Sequence, residues 1–213
     1  VAKNTSVADA TTVNSSGVAP AFVRIGSMVI TAGSGEAVNV TQLVVGDDPG
    51  VATSDFGANF QNLTLFNGAL GPTSTPIATV QGTLSTTEGV DYTFSLSPSV
   101  TIPAGAQYVV DLYANILTGA ANYAAAEPGL EFVSASATGV STSANAYPTA
   151  TVADLQNVVI ASAGSLTITA NSSTPVAGQL VMGETGQTLA TLDFAAGSAE
   201  NVNVSVITIT DTS

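Results

Sequence analysis

Short runs of alternating apolar and polar residues recur from one end of this chain to the other. Ala21-Phe22-Val23-Arg24-Ile25-Gly26-Ser27-Met28-Val29-Ile30 predicts a strand or strand pair, with Gly26 marking a bulge or bend. Asn62 and Thr64 oppose Leu63 and Leu65, and Asn67-Gly68 then predicts a hairpin turn. Tyr92-Thr93-Phe94-Ser95-Leu96 alternates apolar rings and leucine with hydroxyl side chains. Residues 107–116 predict a long strand with Tyr108, Val110, Leu112 and Ala114 on one face. Further strands are expected at residues 75–83, 130–136, 151–160, 166–169, 179–182 and 188–194. A single short helix is expected at 120–126, stopped by Glu127-Pro128-Gly129.

One of these patterns occurs twice. Ala32-Gly33-Ser34-Gly35-Glu36-Ala37-Val38-Asn39-Val40-Thr41 runs on to Asp47. Ala196-Gly197-Ser198-Ala199-Glu200-Asn201-Val202-Asn203-Val204-Ser205 runs on to Asp211. The offset is 164 residues and 8 of 16 positions are identical. Each copy reads as a small-residue turn, one acidic residue and a half-buried strand. In the first copy the alternation slips between Val40 and Leu43, which predicts a β-bulge or burial on both faces.

Strands every eight to twelve residues, with turn residues between them and no long 3.6-residue period, predict an all-β chain of Ig-like β-sandwich modules with Greek-key-type strands. Residues 1–20 read as an N-terminal arm or edge strand, 21–160 as one module, and 161–213 as part of a second module, incomplete within the chain. In that second part Val202, Val204, Ile207 and Ile209 have the pattern of buried strand residues, with too few strands around them for a full sandwich. They are the candidate assembly strand.

Composition narrows the classes of function. Only 8% of residues are charged, and 15 acids face two bases, Lys3 and Arg24, for a net charge of −13. No basic footprint for nucleic acid can be assembled. Mean hydropathy is +0.41, yet no apolar run is long enough to span a bilayer. There is no Cys, so disulfides and thiolate metal sites are excluded. Without His, a His-based catalytic triad is excluded too. A Ser–Lys dyad would have to use Lys3, in the expected arm. Glu88 with Asp91, and Glu127 with Glu131, are the close carboxylate pairs, but both sit at turns. No enzyme and no obligatory cofactor are expected.

Two other chemistries have candidates. Calcium takes hard oxygen ligands from acidic loops, and Asp47, Asp48 and Asp55 form the densest one. Asp111 interrupts an apolar strand between Val110 and Leu112, as a cation ligand or a hydrogen-bonded edge residue. Six Asn-x-Ser/Thr sequons offer glycan acceptors at Asn4, Asn14, Asn39, Asn62, Asn171 and Asn203. Asn39 and Asn203 occupy the polar face of the repeated strand.

Val100-Thr101-Ile102-Pro103-Ala104-Gly105-Ala106-Gln107-Tyr108-Val109-Val110-Asp111-Leu112 and Phe60-Gln61-Asn62-Leu63-Thr64-Leu65-Phe66 resemble the Ig-like modules of repetitive prokaryotic surface proteins. They are similar to those of S-layer-like and filamentous proteins of candidate-phylum bacteria and archaea. Ser173-Thr174-Pro175-Val176-Ala177-Gly178-Gln179 is similar to a module start in such proteins. The resemblance implies an extracellular, cell-surface structural role and supplies no catalytic residue. The expected function is head-to-tail assembly with copies of itself, by strand complementation, into a filament or lattice. The alternatives are a fragment of a longer S-layer-like repeat protein, and an adhesin or glycan-binding module using Tyr113, Tyr123 and Tyr147 as stacking faces.

Overall fold

The computed structural model describes residues 1–9, 11–14, 22–47, 56–87, 89–117, 120, 130–148, 153–161, 165–173, 175, 178–179, 181–197 and 202–210. In chain order the elements are β1 (Ala2–Lys3), β2 (Thr11–Asn14), β3 (Phe22–Thr31), β4 (Val38–Asp47), α1 (Phe56–Asn59), β5 (Phe60–Asn67) and β6 (Asp91–Ile102). After these come β7 (Gln107–Ile116), β8 (Leu130–Gly139), β9 (Ala153–Asp154), β10 (Val158–Ala161), β11 (Leu166–Ala170) and β12 (Leu192–Ala196). The all-β class expected from the alternation is what forms; α1 is a single turn. Among the described residues no helix is long and apolar enough to cross a membrane. The chain divides into two compact units, Val1–Ser162 and Ala163–Ser213.

Unit 1 holds two four-stranded antiparallel sheets, in the orders β1-β3-β7-β5 and β6-β4-β8-β9. A short parallel pair, β2 with β10, joins its two ends. From β3 to β8 each successive strand lies in the other sheet. One hydrophobic core draws on both: Met28, Leu65, Val110 and Leu112 from the first sheet, Leu43, Val45, Phe94 and Phe132 from the second. Burying such side chains supplies roughly 1.5–3 kcal/mol each over leaving them in water.

The bulges fall where the alternation slips. β3 and β7 change register between Arg24 and Gly26. At Gly26 an added Cβ would press on Leu155 Cδ1 at 3.3 Å, so the bend also lets Leu155 pack closely. β4 shifts register between Val40 and Gln42 against both β6 and β8. The extra residue turns Val40 and Leu43, of opposite parity, into the same core.

Three expectations need correction. Asn67-Gly68 does not build a hairpin, because β5 pairs with β7 rather than with the next strand. Instead the Gly68 N–H donates to the Val109 carbonyl at 2.9 Å, and the turn folds back on Asn67. Residues 75–83 form no strand; single bridges at Ala78 and Gln81 hold them, with Leu96 and Leu63. The strand expected over 151–160 is broken into β9 and β10 by residues 155–157, where Leu155 and Gln156 are buried. Of the two alternatives for residues 1–20, arm or edge strand, the described residues take the second: β1 is the edge strand beside β3, and β2 pairs with β10. The helix expected at 120–126 lies outside the described residues, apart from Ala120.

Unit 2 contains one antiparallel ribbon, β11 with β12, whose residues are all exposed. Residues 179, 181 and 182, expected as strand, carry none, and only 192–194 of the strand expected at 188–194 are in a ladder. Residues 202–210, the second copy of the repeated strand, carry no strand either.

Candidate functional site

A polar network is buried where the N-terminal segment meets β3 and β7. The Ser27 hydroxyl donates to Asp111 Oδ1 at 2.5 Å and accepts from Asn4 Nδ2 at 2.9 Å. Arg24 closes the other carboxylate oxygen at 3.3 Å. The Ser27 N–H donates to Gln156 Oε1 at 2.6 Å, and Gln156 Nε2 donates to the Asn4 carbonyl at 2.8 Å. Asp111, Ser27 and Gln156 are all buried. A buried carboxylate without donors costs several kcal/mol; here a hydroxyl and a guanidinium serve it. Asp111 is thus hydrogen-bonded and ties β7 to β3, but it is no edge residue, since β7 lies between β3 and β5. Gln156 was not singled out from the sequence; a lone glutamine between Leu155 and Asn157 carries no signal of burial.

The Glu36 carboxylate fastens the β3–β4 turn. It accepts from the Ser141 N–H at 2.8 Å, the Thr142 N–H at 3.1 Å and the Thr142 hydroxyl at 2.5 Å. The Thr142 hydroxyl, then the Ser141 amide, hold its carboxyl below the usual 4.5 of a glutamate. The acidic residue of the repeated turn is thus a staple in its first copy. Glu200, its counterpart, lies outside the described residues.

Of the three calcium candidates only Asp47 lies among the described residues. Asp47 is buried at the end of β4, its N–H donating to the Val90 carbonyl at 3.1 Å. Burial raises the Tyr92 phenol, and the Asp47 charge pushes it the same way. Asp48 and Asp55 lie outside the described residues, and among the described residues no group of three or more acids could hold a metal ion.

Among the sequons, Asn4 Nδ2 donates to Ser27, Asn62 Nδ2 to Asn115 at 2.8 Å, and Asn171 Nδ2 to Asp193 at 3.1 Å. A glycan on any of these nitrogens would disturb that bond. Asn39 is half-buried, with Oδ1 accepting from Thr101 at 3.4 Å, and Asn203 is exposed. Of Asn14 only the strand position is described. Lys3 pairs with Asp9 at 2.5 Å, so its ammonium serves a surface ion pair. Glu88 and Glu127 lie outside the described residues. Tyr113 stacks on Phe22 at 5.3 Å and meets Phe66 edge-on. Tyr147 is 75% exposed, and Tyr123 lies outside the described residues.

The feature that singles out unit 2 is its ladder. Under the 164-residue offset β12 corresponds to residues 28–32, the last four residues of β3 and Ala32. In unit 1 Ala2 pairs with Val29 and Lys3 with Met28. In unit 2 Thr169 pairs with Asp193 and Ala170 with Leu192, the same register with the first strand offset by 167. The turn after each first strand also repeats. Asn4 donates its N–H to Ser27 and accepts from Ser6 on its side-chain oxygen. Asn171 does the same with Thr191 and Ser173. Val1-Ala2-Lys3-Asn4-Thr5-Ser6 and Ile168-Thr169-Ala170-Asn171-Ser172-Ser173 are therefore one motif, too degenerate to be found without the register.

This equivalence says where strands are wanted. In unit 1 the far edge of β3 is taken by β7, and β4 lies between β6 and β8. Among the described residues of unit 2, nothing occupies the corresponding edge of β12. The segment 202–210, counterpart of β4, ladders with no strand among the described residues. Val204 is 39% exposed, Ile207 55% and Ile209 83%, while Val202 is half-buried. No protein-family model, no curated protein and no solved structure matches the chain.

Proposed function

We propose that this is a structural, extracellular protein of the cell surface. It is built on Ig-like β-sandwich modules and assembles head to tail with copies of itself, by strand addition, into a filament or lattice. One observation carries the reading: the β11–β12 ribbon repeats the β1–β3 ladder of unit 1, yet leaves Leu166, Ile168, Leu192 and Phe194 exposed. A lone two-stranded ribbon is marginal in water. A contiguous apolar surface beside an open strand edge favours strand addition, with backbone bonds for affinity and alternating side chains for register. The surplus of acids keeps such a chain soluble before it associates. The two sheets of unit 1, sharing one core with strands alternating between them, support the sandwich class. The family resemblance of residues 60–66 and 100–112 points the same way.

The repeat also favours a second reading, in which the strands that complete unit 2 belong to the same polypeptide in a longer array. Intact mass of the native protein separates the two. The self-assembly reading is tested by sedimentation velocity and electron microscopy over a concentration series. Filaments or sheets with a constant repeat support it, and a monomer at every concentration rejects it.

A further inference from the structure

The opening and the close of unit 1 run side by side. β10 ends at Ala161, one residue before the boundary at Ser162. β2 pairs with it in parallel over four positions, Thr11↔Val158, Thr12↔Val159, Val13↔Ile160 and Asn14↔Ala161. Among the described residues every other ladder of the unit is antiparallel. Further bonds reinforce the pair. Gln156 Nε2 donates to the Asn4 carbonyl at 2.8 Å, and the Asn157 N–H donates to Asp9 Oδ1 at 3.2 Å. They join residues 152 and 148 positions apart. Gln156 Oε1 also accepts from the Ser27 N–H at 2.6 Å, which fixes the tie to β3.

Strand direction decides how such a pair meets a pull along the chain. Tension draws β2 towards lower residue numbers and β10 towards higher ones. In an antiparallel pair those two ends lie together, and the ladder peels open bond by bond. In a parallel pair they lie at opposite ends, so the ladder bonds are sheared together. Val158 and Ile160 are buried in the core, and sliding β10 along its axis would draw both out. While the ladder holds, the chain between Asn14 and Val158 lies outside the loaded path. The sandwich and its core are then spared the pull.

We propose that unit 1 is a tension-bearing link, clamped by the β2–β10 ladder together with the Asn4–Gln156 and Asp9–Asn157 bonds. The inference rests on the structural reading, since a link in a surface filament or array is pulled along its chain. It adds a mechanical function to that reading. Asn4 and Gln156, which bury a polar network on β3, also hold the two loaded segments to each other.

Single-molecule force spectroscopy on the full chain, held by its two ends between reference modules, tests the clamp. Forced unfolding follows the unfolding rate rather than equilibrium stability. The expected trace shows one cooperative rupture of unit 1 that releases on the order of 500 Å of chain. Neighbouring N–H groups of a strand point to opposite sides, so Thr12→Pro and Val13→Pro are made separately. The one whose N–H faces β10 loses a ladder bond and is expected to lose most of the rupture force. Asp9 is exposed, so Asp9→Ala keeps the test open where proline disrupts folding. It is expected to lower the force with the urea midpoint nearly unchanged. Leu43→Ala, in the core and off the clamp, is expected to lower the urea midpoint and keep most of the force. An unaltered force in the Asp9→Ala and proline variants overturns the clamp, as does a force that falls as far with Leu43→Ala as with proline. A chain that sediments as a monomer yet ruptures as expected rejects self-assembly and leaves the clamp standing. Filaments of a chain that extends without a cooperative rupture overturn the clamp alone.

Discussion

The backbone N–H of Asn171 donates to the carbonyl of Thr191 at 2.8 Å, and this bond is the counterpart of the one from Asn4 to Ser27 at 3.0 Å. Only its setting differs. Ser27 lies fully buried beneath a sheet partner and Gln156, whereas Thr191 is half-buried at the foot of a ribbon whose residues are all exposed. The same local structure is thus found with and without its tertiary surroundings, and those surroundings set the size of each effect expected on mutation.

Ser27→Ala removes the hydroxyl that serves Asp111 and accepts from Asn4. The buried carboxylate is then left with Arg24, which is partly in solvent. The expected loss is on the order of 1–3 kcal/mol, read as a lower urea midpoint of unit 1 with an unchanged slope.

Glu36 should titrate below the usual glutamate value, and a carbon-detected NMR titration measures it directly. Its pKa is lower folded than unfolded, so its bonds stabilise the protein above the unfolded value of about 4.5. That stabilisation is lost as pH falls through the folded pKa. Glu36→Gln should flatten the acid limb of the stability curve over that range. Gly139→Ala, whose added Cβ would strike the Glu36 carboxylate, should return the titration towards normal.

Gly57 in α1 lies against the carbonyls of Leu84 and Ser85, where an added Cβ would collide with backbone rather than with a movable side chain. Its N–H also donates to the Ser85 carbonyl at 2.9 Å. Gly57→Ala should destabilise unit 1 by about 1–3 kcal/mol, visible as a lower melting temperature.

Leu43 and Ile207 occupy the same place in the two copies of the repeat. Leu43 is fully buried and Ile207 is 55% exposed. Leu43→Ala should cost about 2–5 kcal/mol. Ile207→Ala should change the stability of the isolated chain by less than about 0.5 kcal/mol, while raising the concentration needed for association. Denaturation and light scattering on the same samples separate the two effects.

Much of the strand layout was legible because burial of one sheet face imposes a period of two. Residues 107–116 became a strand over their full length, and the slip after Val40 became a bulge. Asn67-Gly68 misled because turn chemistry reports a reversal of direction and not which strand comes next. Ser27 and Gln156 left no signal, since their burial depends on Asp111 and Asn4, which lie 84 and 152 residues away from them respectively.

The sequence by itself determined the all-β class, the bulges of β3 and β4, and the existence of a repeat, because these follow from local alternation and from side-chain identity. The tertiary structure decided the rest. It set the pairing of β1 with β3, the strand order of both sheets, and the burial of one copy of the repeated strand beside exposure of the other. A strand's own residues choose its period and its apolar face, but its neighbours come from distant parts of the chain. Val38–Asp47 meets β6 and β8, while 202–210, with half of the compared positions identical, meets no such strands among the described residues.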